Sequence, residues 1–202
     1  MRRPSAAFIL IIPLLMAGPA IAEPFEDATK AYNSGDYETA YRLIKPLAEK
    51  GLPEAQFNIG LLYDKGQGVP QNYAEAVTWY RKAAEQGNAK GQYSLGRMYI
   101  KSQGVPQDYA EAVTWLRKAA EQGNAKGQYS LGMMYYRGRG VPKDYVLAHM
   151  WLNLSTSRYP ELENAKREWA DIFRDIAASK MTSAQLAEAQ KLAQEWKPKM
   201  ER

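Results

Sequence analysis

The side chains able to do acid–base, nucleophilic or metal chemistry are few in this sequence and poorly spaced for it. His149 is the only histidine and there is no cysteine, which removes thiolate nucleophiles and cysteine metal sites. One histidine without partners at fixed spacing is neither a metal set nor a catalytic set, so His149 reads as a half-buried helix residue. Gly66-x-Gly68 and Gly138-x-Gly140 look superficially like phosphate loops. No strand pattern precedes them and no lysine-serine pair follows, so they read as helix exits. Arg81, Lys82, Arg117 and Lys118 stand beside Glu85 and Glu121, a solvated face with i,i+3 or i,i+4 pairing. No catalytic residue, metal ligand or cofactor site is expected.

What remains is recognition chemistry. Aromatic, aliphatic and basic residues gather in three groups: Phe57 and Leu61; Tyr93, Arg97, Ile100 and Lys101; Tyr129, Met133, Tyr136 and Arg137. At about 100° per residue each group lies opposite the core-facing stripe of its helix. A helix that is apolar on both faces is either buried twice or offers a binding patch, and aromatics, Met and Arg are enriched at interfaces. These residues are therefore expected to form a binding groove. Arg97 and Arg137 would meet an acidic group, while Tyr93, Tyr129, Met133 and Tyr136 supply buried area. The alternative is that C-terminal helices fold back and fill the groove.

The elements that must position these residues are repeats. The stretch from Asn72 to Gly96 returns as Asp108 to Gly132 with only Asn72/Asp108 and Tyr80/Leu116 changed, an offset of 36 residues. A fixed period of this size marks stacked units that bury their apolar faces against one another. Each unit reads as two helices. The first runs from Pro53 to Asp64, Ala89 to Lys101 or Ala125 to Arg137, with stripes such as Ala55/Ile59/Tyr63 facing the second. Gly60, Gly96 and Gly132 interrupt these helices at a cost of about 0.5–1 kcal/mol each relative to alanine, which implies a close helix crossing. Gly-Val-Pro ends each first helix. Asn72, Asp108 or Asp144 then caps the second, with Glu75 and Glu111 completing capping boxes. Trp79, Trp115 and Trp151 are expected in the core.

This pattern (Ala-x3-Leu-Gly-x2-Tyr, Gly-Val-Pro-x-Asp-Tyr-x2-Ala-x2-Trp, Ala-Ala-x2-Gly) resembles the Sel1-like repeat, a longer-looped relative of the tetratricopeptide repeat. The resemblance implies an all-α solenoid of stacked helical hairpins in a right-handed superhelix, with the recognition residues on its concave face. It implies a non-enzymatic adaptor or regulator that binds a protein or peptide. Cysteine-rich relatives associated with β-lactam binding or hydrolysis give an enzyme alternative, for which this chain lacks the cysteines and any serine-lysine arrangement. A cell-wall-fragment binder is a third reading. Ile59 before Gly60, Ser102 in place of Gly66 and Gly138, and Thr156 and Tyr159 in the last unit depart from the pattern.

The two ends differ from the array. Arg2 and Arg3, the apolar run from Ala6 to Met16 and Ala20-Ile21-Ala22 read as a signal peptide over residues 1–22, with export to the periplasm or beyond. The apolar run is too short to span a membrane, which needs about 20 residues, so no stable insertion is expected. Without that segment 25 basic residues face 22 acidic ones, and a net +3 is too mild to argue for nucleic acid. Residues 23–52 read as a degenerate first unit and 53–88, 89–124 and 125–160 as full repeats. Residues 161–202 form a two-helix cap, with Leu162, Ala165, Trp169, Ile172, Phe173 and Ile176 as the buried stripe of its first helix.

Overall fold

The computed structural model describes residues 19–157 and 164–199. The expected signal peptide falls mainly on residues 1–18, which lie outside the described residues, as do Tyr159 and Leu162. Every regular element among the described residues is an α-helix. The chain divides into two compact units, residues 1–88 and 89–202.

The first unit contains α1 (Pro19–Ser34), α2 (Tyr37–Glu49), α3 (Pro53–Lys65) and α4 (Tyr73–Glu85), packed in sequence order. α1 continues through Pro24. Phe25 and Ala28 join Ile44, Leu47, Ala48, Ala55, Ile59 and Leu62 in one core. Asp36 and Asn72 cap the helices that follow them: Asp36 Oδ1 accepts from Thr39 N, and Asn72 Oδ1 from Ala74 N and Glu75 N. Those side-chain acceptors satisfy amides that have no partner inside the helix.

The glycine within each first helix does allow a close crossing. A Cβ on Gly60 would stand 2.7 Å from the Tyr80 ring, and one on Gly96 or Gly132 would stand 2.9 Å from Leu116 or Leu152 Cγ. The deepest side chain of each second helix is therefore the residue after the tryptophan. Tyr80, Leu116 and Leu152 are fully buried, whereas Trp79 is half-buried under the Lys82 ammonium, 4.2 Å from its ring centroid. Tyr80 also explains its own departure from the repeat. Its hydroxyl donates to Oδ2 of buried Asp64 at 3.2 Å; one period later the same two positions are Leu116 and Ile100. A polar buried pair has been exchanged for an apolar one as a unit, as the cost of an unmatched buried polar group requires.

The second unit contains α5 (Ala89–Lys101), α6 (Tyr109–Glu121), α7 (Ala125–Arg137), α8 (Tyr145–Thr156), α9 (Asn164–Ala178) and α10 (Ser183–Glu195). α5–α6 and α7–α8 are hairpins, with α6 packed on α7. The α5 exit keeps the left-handed turn without glycine: Ser102 has φ +56°, against +66° at Gly138. α9 and α10 do not pair as a hairpin; both pack mainly on α8. α8 is consequently buried almost all round, including Met150 and Leu154, where α6 has exposed Thr114 and Lys118.

The side of α9 that faces the protein keeps Phe173 of the expected stripe but not Trp169 or Ile172. Ala170 and Ala177 are fully buried with Phe173 beside them, while Trp169 and Ile172 are 56% and 46% exposed. Alanines let the α9 backbone lie close to α8; the larger stripe would hold it away. α10 buries Ala189 and Ala193, opens with the Thr182/Gln185 capping box and brings Trp196 edge-on to Trp151 at 6.2 Å. Lys199 then donates from its backbone N–H to Glu121 O (2.8 Å) and from Nζ to Glu121 Oε2 (2.9 Å).

Candidate partner-binding face

The glycine turns first considered for chemistry are helix exits. Gly66 and Gly138 are left-handed helix caps whose amides donate to Leu62 O and to Met134 O and Tyr135 O; the Gln67 and Arg139 amides do the same. Amides used in this way are not presented to a phosphate. His149 is 5% exposed, with Nδ1 buried and unbonded. Burial and then the Arg174 guanidinium hold its pKa below the ordinary histidine value, partly offset by the Asp175 carboxylate. Among the described residues, no three His, Asp or Glu side chains gather as metal ligands.

The basic face of the second helices is less solvated than its spacing suggests. Arg117 donates to the Tyr135 hydroxyl at 2.8 Å, and the Lys118 ammonium lies 4.5 Å from the Trp115 ring centroid. Glu121, the expected local partner, instead holds Lys199.

The recognition residues separate into three environments. In the first unit, Phe57 is buried and stacks on Tyr80, with ring centroids 5.8 Å apart, and Leu61 is half-buried. Phe57 is therefore an interior residue and not part of an open groove. In the third repeat, Met133 (7% exposed) clusters with Leu152 and with Ala170 of α9, and Tyr136 meets Phe173 of α9 at 5.6 Å and Tyr145 at 5.8 Å. The chain's own helix occupies this part of the expected floor, because a floor of Met, Tyr and Leu is better buried than hydrated.

The rest are half-buried or exposed, with Tyr129 packed against the Met133 cluster and Tyr93 and Ile100 against the core that contains Leu131 and Tyr135. Tyr93, Arg97 and Ile100 of α5 are half-buried and Lys101 is exposed; Tyr129 of α7 is half-buried and Arg137 exposed. These residues come from two helices one period apart, and they influence one another electrostatically. Burial pushes the Tyr129 phenol up, Arg137 draws it back, and Tyr93 on the neighbouring hairpin adds to the rise. The result is a strip of two tyrosines and an isoleucine bordered by cations, next to the helix-covered floor. It carries no nucleophile–base pair. Its chemistry is contact area and charge-assisted hydrogen bonding to acceptors.

Sequence reasoning grouped Met133 with Arg97 because both occupy the same repeat position. It also missed Met150 and Leu154, apolar at positions where α6 carries Thr114 and Lys118. That substitution at two outward positions was the available signal that another helix covers α8.

Stacked helical hairpins of one length define a helical-repeat solenoid. Within that class the chain belongs to the Sel1 repeat family, whose pattern matches residues 53–88, 89–124 and 125–158. A Sel1 repeat protein of Oxalobacter formigenes has a similar crystal structure, with 33% identity, a TM-score of 0.64, and 84% of this chain and 74% of that one covered. A protective antigen present in uropathogenic Escherichia coli strains, with a Sel1-like repeat fold, matches at 28% identity and a TM-score of 0.59, over 87% of this chain and 45% of that one. Among curated proteins, an uncharacterised protein of Neisseria meningitidis serogroup B is 46% identical over 48 residues. Rat DAP3-binding cell death enhancer 1 is 35% identical over 49. Both matches span 24% of this chain and about a tenth of the relative.

Proposed function

We propose that the chain is an exported, non-enzymatic adaptor that binds a protein or peptide on the surface strip of Tyr93, Arg97, Ile100, Lys101, Tyr129 and Arg137. The supporting observation is the seating of α9 on Met133, Leu152 and Tyr136. That face of a first helix takes a helix within the same chain, and Tyr93, Arg97, Ile100 and Lys101 form the same face one period earlier, with Arg97 in place of Met133. A ligand with a short apolar surface and an acidic group suits it. Kinship with a protein described as DAP3-binding supports a binding role, and the basic-apolar-small pattern of residues 1–22 supports export.

The test is in-cell photo-crosslinking from Tyr93 and Lys101, with Glu111 on the exposed side of α6 as control. One dominant partner captured from the first two sites and not from the third is expected. Equal capture at all three, or at none, would sink the reading. A chromogenic β-lactam should show no hydrolysis above background, and muropeptides should leave the melting temperature unchanged, since binding to the folded state must raise it.

A further inference from the structure

We propose that the outward side of α9 is a second docking surface, independent of the strip above, for a basic amphipathic helix on another protein. Trp169 and Ile172 are the exposed large hydrophobics among the described residues. They lie one turn apart on one helix, with half-buried Ile176 one turn further along the same side. Scattered single apolar residues at a surface need no explanation; a contiguous stripe does.

The stripe is also rigidly held. Trp169 stacks on Phe173 at 6.2 Å, and Phe173 packs on Tyr136. Ala170 and Ala177 anchor the helix beneath. A fixed aromatic beside aliphatic anchors loses little freedom on binding, which is the character of an interface hot spot.

Charge selects the occupant. At about 100° per residue, Glu168, Asp175 and Asp171 follow one another along a single border of the stripe. Arg174 reaches Asp171 (2.7 Å) and Asp175 (2.9 Å) from the far side, so these two acids share one cation; Arg167 lies opposite the stripe, and Glu168 and Asp175, the acids nearest it, leave this border negative. An anionic lipid surface is repelled by such a border. A second copy fits no better: antiparallel two-fold pairing of α9 would set this border against itself, like charge on like. A helix with aliphatic anchors and lysine or arginine alongside satisfies both stripe and border.

The probe is a fluorescein-labelled synthetic helix with leucine at i, i+3, i+4 and i+7 and lysine beside them, followed by anisotropy with the full chain. Controls are a leucine/glutamate helix of the same pattern and a scrambled leucine/lysine peptide. The patterned leucine/lysine helix should bind at least about tenfold tighter than either control, and added salt should weaken it. Trp169→Ala with Ile172→Ala should lose at least about tenfold with the melting temperature unchanged, and Glu168→Lys should weaken binding further. Equal binding of the leucine/glutamate helix, or unchanged binding by the double variant, overturns the proposal. So does light scattering that shows a dimer abolished by that variant, or flotation of the chain with phosphatidylglycerol vesicles through this face.

Discussion

The second and third repeats share almost all of their first helix up to Gly96 and Gly132, yet only the third is wrapped. α9 lies over Met133 and Leu152, and α10 brings Leu192 and Trp196 to a core containing Met150 and Leu154. At the matching places the second repeat has Arg97, Thr114 and Lys118. The core-facing residues hardly change between the two. What differs is the outward residue at each point where a further helix lands. A repeat therefore carries its hairpin in one set of positions and its neighbours in another, and the second set decides whether the array continues or is capped.

Exchanging residues across this comparison tests it. Leu154→Lys, which gives α8 the α6 residue, should cost at least ~3 kcal/mol, from lost apolar burial together with a buried charge. Urea unfolding should show it, with Trp196 emission shifting as α10 leaves. Met133→Arg puts the second repeat's cation under α9 and should cost about 2–3 kcal/mol. Hydrogen exchange should speed up in α9 and not in α5; uniform loss across the unit would mean that Met133 supports the hairpin itself.

His149 stands where the second repeat has Val113. Its pKa is lowered in the folded protein by burial and Arg174, so the unfolded chain takes up the proton first, near the ordinary value of about 6.5. This stability is complete above that pH and is lost as pH falls through the folded value. His149→Val should therefore lose less melting temperature than the wild type on acidification from about pH 7.5 to 5. Parallel curves would remove the histidine from the account. The smallest effect is expected at Ser102, whose left-handed backbone the third repeat assigns to Gly138. Ser102→Gly should stabilise by about 0.5–1 kcal/mol, read from the denaturation midpoint.

The hairpins were legible in the sequence because their signals are local and repeated. The helix spans of α5 and α7, the Asn72, Asp108 and Asp144 caps and the close crossing at Gly60, Gly96 and Gly132 each rest on residues within one period. The candidate face was legible only in part. Arg97 and Met133 share a register, and register alone does not say what lies on top. On α9 the pattern misplaces Trp169 and Ile172 for a related reason. The helix has two apolar sides, and the larger residues Trp169, Ile172 and Ile176 dominate any periodicity count. The small residues Ala170 and Ala177 permit the closest approach to α8, and packing followed those.

The tie between Lys199 and Glu121 has a consequence for how the molecule assembles. Contacts between adjacent hairpins join residues about one period apart, such as the 35 residues between Tyr32 and Gln67; the Lys199 link spans 78. Closing so long a loop costs chain entropy that is recovered only once the intervening helices are in place. The hairpins can zip up from near neighbours, whereas the clasp on α6 has to wait for them. It should be the last contact made in refolding and the first released in unfolding, a slow step added to an otherwise short-range topology.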